Sequence, residues 1–155
     1  MTFRILPLPR ESFAELFSLS DEALKERNAL RVVADANPGF PCRVSLVDAE
    51  IGETVLLLNY EHQPARTPFR AAHAIFVRER AVEARCAPGE VPALFRSRMM
   101  SLRGFDERHM FCAGDLVSGT ELAEAIERML AQPSVSYVHL HYAKLGCYAA
   151  RAERA

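Results

Sequence analysis

The chain carries almost no net charge. Nineteen basic residues stand against twenty acidic ones, for a formal charge of -1. No global basic field exists to hold a nucleic acid by counterion release, and RNP-like and zinc-finger patterns are missing. No nucleic-acid partner is expected. No run approaches the roughly 18 apolar residues of a membrane span, so no membrane partner is expected either. The opening Met-Thr-Phe-Arg-Ile-Leu-Pro is too soon broken by proline to read as a signal peptide, and the expected location is cytoplasmic. The four cysteines, Cys42, Cys86, Cys112 and Cys147, are far apart and form no C-x-x-C pair, which argues against a zinc ribbon and for free thiols. A Gly-rich phosphate loop, a G-x-S-x-G elbow and an H-E-x-x-H helix are also missing. There is no internal repeat, low-complexity segment or linker.

What is present is a globular composition, 50% hydrophobic and 25% charged over 155 residues. This is enough for one core and one domain over 1–155. Strands are expected at 3–6, 30–35, 42–47, 54–61, 72–78, 82–85, 99–105, 110–113, 135–142 and 147–151. Helices are expected at 11–17, at 21–28 behind a Ser20 cap, just after Pro92, and at 120–131. Ser118 and Glu121 have capping-box spacing, and Glu124 and Arg128 are placed to pair at i,i+4. Pro38-Gly39 suits a type II turn, and Pro41 holds Phe40 extended. The 62–70 segment, with two prolines, reads as a loop. Strands mostly follow strands without a helix between them. The expected class is therefore α+β, a largely antiparallel sheet with three or four helices.

Several runs are distinctive: Pro-Gly-Phe-Pro-Cys-Arg at 38–43, Leu-Leu-Leu-Asn-Tyr-Glu-His at 56–62 and His-Ala-Ile-Phe-Val-Arg at 73–78. His-Leu-His at 139–141 and Gly-Cys-Tyr-Ala-Ala-Arg at 146–151 follow. In these runs the chain resembles an uncharacterised bacterial family catalogued as domain of unknown function 1203, over almost its whole length. The tail motif of that family usually has Asn after the second histidine, where this chain has Tyr142. The resemblance implies a single domain and brings no activity or cofactor with it.

The same runs hold the candidate chemistry. One reading is a pocket between the 38–43 turn, the end of the 54–62 strand and the C-terminal hairpin. There Arg43, Asn59, His73, Arg78, His139, His141 and Cys147 would bind a small polar or anionic ligand, since guanidinium suits carboxylate and phosphate. Arg66, Arg70 and Arg80 lie around the same loop. An alternative is a thiol enzyme with Cys42 as nucleophile, His62 as base and Glu61 or Asn59 orienting it. Strand alternation would turn Arg43 away from the Cys42 sulfur, so the activating cation must come from elsewhere. A further alternative is a metal site on His139 and His141, which share a strand face at i,i+2. Its third ligand would come from His62, Glu61, His73 or Cys147. A homodimer through an exposed sheet edge is the non-chemical reading. Glu61 is expected to pair with Arg43 or Arg78.

Overall fold

A computed structural model describes residues 2–155. The α+β class is borne out, with eight strands and four α-helices among the described residues. The strands are β1 (Phe3–Leu6), β2 (Ala29–Val33), β3 (Thr54–Gln63), β4 (Ala71–Arg78), β5 (Met99–Phe105), β6 (Phe111–Ser118), β7 (Tyr137–Tyr142) and β8 (Tyr148–Arg154). The helices are α1 (Glu11–Ala14), α2 (Asp21–Glu26), α3 (Ala93–Arg96) and α4 (Leu122–Leu130). Two compact units emerge. The first takes the residues up to Leu6, then Glu61–Ala71 and Arg85–Ala155; the second takes Pro7–Tyr60 and Ala72–Ala84.

The first unit is built on an antiparallel sheet of order β1-β8-β7-β5-β6. Val138 and Leu140 of β7 share a face with Leu102 of β5 and Ala150 and Ala152 of β8, by direct cross-strand pairing. Helix α4 covers that face: a Cβ on Gly104 would meet the Met129 sulfur at 3.1 Å. Its buried side includes the stripe of Leu122, Ile126, Met129 and Leu130. The helix begins differently from the expectation. A 3-10 turn over Gly119–Glu121 precedes it, and the Ser118 hydroxyl accepts from the Thr120 amide rather than completing a capping box with Glu121. Arg128 pairs with Asp115 of β6, not with Glu124.

The second unit holds the three-stranded sheet β2-β3-β4, with β3 as far as Tyr60 and β4 from Ala72, and helices α1 and α2. Ser20 caps α2 as expected, accepting from the Ala23 amide at 3.2 Å. A small core of Ala34, Ala49 and Val55 is closed by Val32, Phe40 and Phe76. Two expected strands do not form. Residues 82–85 are irregular, and Val82 is 79% exposed. Residues 42–47 are a tight loop, closed by Cys42 N–H to the Val47 carbonyl and Leu46 N–H to the Cys42 carbonyl. Leu46 takes a positive φ of 51° to close it. Cys42, Arg43 and Val44 are all buried in succession, a loop packed inward rather than an alternating strand. Gly39 does not take the positive φ that a type II turn needs.

Gly119 sits where the chain passes hard against α3. Its amide donates to the Arg98 carbonyl at 2.8 Å, and a Cβ would lie 1.7 Å from the Phe95 carbonyl oxygen. Gly119→Ala is therefore expected to force backbone movement and cost about 2–3 kcal/mol. Urea unfolding should show this as a lower midpoint with an unchanged slope.

Candidate metal centre

The opposite face of β7 carries Tyr137, His139 and His141, at every second residue. Both faces of this central strand are buried, so the histidines do not face solvent: His139 is 4% exposed and His141 3%. A β-bulge decides what meets them on β8. Leu140 pairs with Ala150, but His141 pairs with Tyr148, so Ala149 is the extra residue. Without the bulge, Ala149 would stand beside His141 and Tyr148 would point to the α4 face. With it, Tyr148 and Arg151 share the face of the histidines.

His62 completes the group. The expected strand end at Glu61 is extended to Gln63, so His62 is a strand residue and not part of a loop. Its ring stacks on Tyr148, with centroids 5.3 Å apart and planes within 10°. It stands 5.0 Å from the His141 ring and 6.0 Å from the His139 ring. His62, His139 and His141 each offer one nitrogen, and these atoms lie within 4.8 Å of one another. Donors in a tetrahedral zinc site are about 3.4 Å apart at Zn–N distances near 2.0–2.1 Å. The three nitrogens thus lie at most about 1.4 Å beyond that spacing.

The protonation pattern suits ligation. His141 Nδ1 lies 2.9 Å from the Gly146 carbonyl, which can only accept, so Nδ1 carries the proton and Nε2 the lone pair. A backbone carbonyl behind a histidine is a common way to orient a metal ligand. Burial first, and then His141, His62, Arg151 and Arg103, push the His139 imidazole down from 6.5 to about 3. It is neutral at ordinary pH, and its buried Nδ1 has no hydrogen-bond partner. The two arginines are its direct neighbours on β5 and β8.

His62 and His139 line a cleft of about 400 Å³ together with Gln63, Tyr137 and Arg151. Gln63 donates to the Tyr137 hydroxyl at 2.9 Å, and that hydroxyl lies 2.7 Å from His109 Nδ1. The Arg151 guanidinium lies 3.9 Å from the Tyr137 ring centre. Tyr137, Tyr148, His109 and Arg151 are site residues that residue patterns alone did not single out. For Tyr148 the signal is a bulge and for His109 a turn, and neither has a sequence period.

The other expected residues lie elsewhere. Glu61 pairs with Arg70 at 3.1 Å, not with Arg43 or Arg78. Cys147 is buried beside Gly146 but outside the histidine group. Asn59, His73, Arg78, Arg43 and Cys42 all belong to the second unit. Asn59 and His73 are exposed. Arg78 is held by Glu53 at 2.8 Å and by the Ser45 hydroxyl. Arg43 is 1% exposed and reaches the Pro41 carbonyl. Cys42 is fully buried, and its sulfur accepts from the amides of Val44, Ser45 and Arg78 at 3.3–3.4 Å.

A family model described as "Protein of unknown function (DUF1203)" matches residues 39–154, a span that contains all three histidines, Tyr137 and Arg151. No curated protein and no solved structure matches the chain.

Two outcomes follow from the geometry. The unfolded chain protonates His139 near 6.5, while the folded protein keeps it neutral down to about 3. Its contribution to stability is complete above pH 6.5 and is lost as pH falls toward 3, at about 1.4 kcal/mol per pH unit. Urea midpoints between pH 7 and 4.5 should fall less steeply in metal-free His139→Phe than in the metal-free parent; parallel curves would contradict the burial argument. Cys42 should resist maleimide in the folded protein and react only on unfolding, as mass spectrometry of the labelled peptide would reveal.

Proposed function

The chain belongs to this family of proteins of unknown function, and we propose that it is a metal-binding protein. Its centre is a divalent transition metal, zinc foremost, held by His62, His139 and His141. The observation that carries the reading is the convergence of three imidazoles, two buried and one half-buried, with donor atoms within 4.8 Å of one another. One is oriented from behind by a backbone carbonyl, and another has a buried nitrogen lacking a partner. An all-imidazole set suits zinc, copper, nickel or iron and not magnesium or calcium. Three protein ligands leave a position for water or a ligand, which is the arrangement of a reactive centre and not of a closed structural one. The bound ion supplies Lewis acidity at that position. The protein supplies the cleft, the fixed imidazoles and the dry wall of Phe105 and Tyr148 around His139.

Untagged protein equilibrated with zinc and freed of excess should retain about one ion per chain by elemental analysis. His139→Gln and His141→Gln should each lower affinity more than about 100-fold in chelator competition, beyond what loss of an outer partner costs. Gly146 has a φ of 80° and open space around its Cα. Gly146→Ala should strain that turn, shift the carbonyl behind His141 and weaken zinc about 10–100-fold with the three ligands intact. Zinc below a tenth of an equivalent in the parent protein would sink the proposal.

A further inference from the structure

Resting on the metal reading, we propose that the remaining position at the ion takes a small oxyanion, a carboxylate or a phosphate, held against the cleft arginines. The cleft wall includes Arg66, Arg108 and Arg151 and no Asp or Glu. Arg66 and Arg108 are exposed; no salt bridge holds either guanidinium among the described residues, and Asp106, which accepts from the Arg108 amide, is the carboxylate that Arg108 influences. Arg151 is fixed from one side by Glu153 and from another by the Tyr137 ring. Its Nε is buried and has no hydrogen-bond partner.

The neutral groups of the cleft point the same way. Gln63 Nε2 donates to the Tyr137 hydroxyl, and Gln63 Oε1 accepts from the Ala65 amide. The Thr67 hydroxyl accepts from the Phe69 amide and reaches the His109 carbonyl. The Tyr137 hydroxyl accepts from Gln63 and lies 2.7 Å from His109 Nδ1, so Tyr137 and His109 engage each other. The side-chain oxygens of Gln63 and Thr67 are thus engaged locally, and the charge the cleft offers is that of its guanidinium groups. Such a wall solvates an anion and repels a cation or an amine. A planar guanidinium meets a carboxylate or phosphate through two parallel hydrogen bonds. A volume of about 400 Å³ admits a small molecule and not a polymer segment.

Cobalt(II) is the ion for the test, because its visible bands report a change of ligand at the open position. Protein saturated with cobalt is titrated separately with sodium phosphate and sodium acetate at constant ionic strength, with sodium chloride as the control. A saturable band shift with phosphate, acetate or both, beyond the chloride response, is expected, and the stronger arm names the class. The combined variant R66Q/R108Q, both on exposed loop residues, should weaken that binding about tenfold or more. Bound cobalt whose bands ignore both anions would overturn the oxyanion proposal and leave the metal reading standing. An identical response in R66Q/R108Q would do the same. Failure of the parent protein to bind cobalt at all would overturn the metal reading and this one with it.

Discussion

Strand β7 lies between β5 and β8 with both faces closed, and six consecutive residues of it are buried. Such a strand can carry polar side chains only where each finds an internal partner, because an unmatched buried polar group costs about 1–3 kcal/mol. The α4 side of β7 carries Val138, Leu140 and Tyr142, the last with its ring against Phe95 and Arg98. The other side carries three polar rings, and the unit is arranged around satisfying them. Gly146 accepts from His141, and Gln63 and His109 take up Tyr137. His139 is left with a nitrogen that nothing in the chain engages. A Phe at that position would remove the cost at little change in volume. Histidine there, between two arginines, is a departure from simple core packing.

The bulge in β8 decides which side chains meet this face. Strand alternation alone would give the histidines Ala149 as a neighbour, and a methyl group cannot support His62. One inserted residue exchanges it for Tyr148, whose ring is the platform on which His62 lies. Arg151 stands opposite His139 in the regular part of the pairing, before the shift. The hairpin turn that follows β7 contributes as well: the positive φ of Gly146 aims its carbonyl at His141. Three local backbone features, a strand extended by two residues, a bulge and a glycine turn, assemble a site that no single motif encodes.

Elements with strong periodicity were legible in the sequence. The apolar stripe of α4, the apolar run of β3 and the alternation of His139 and His141 all reappear in the fold. The 42–47 segment misled because its apolar content signals burial without saying whether the backbone is strand or loop. The loop that forms places the Cys42 sulfur under three amides. Charge pairs were misread for a related reason: Glu61, Arg78 and Arg128 each found a partner set by tertiary position, not by spacing. His62 is one of the candidate third ligands that the sequence offers the histidine pair. What the sequence could not supply was the extension of β3 that keeps His62 in a strand, or the bulge that supports it.

Electrostatics ties the two proposals together. Three neutral imidazoles leave a bound divalent ion with its full charge, next to a wall of guanidinium groups. At an effective dielectric near 20, a divalent ion about 6 Å from one guanidinium is repelled by roughly 5 kcal/mol before solvent screening. Coordination to nitrogen must overcome that term when the ion binds alone. An oxyanion between ion and arginine reverses its sign on both sides. The two ligands should then bind cooperatively, and linkage requires the effect to be mutual: the factor by which the anion tightens the metal equals the factor by which the metal tightens the anion. Neutralising Arg108 or Arg66 should therefore strengthen metal binding in the absence of anion while weakening the coupling. A purely structural role for these arginines would produce neither change.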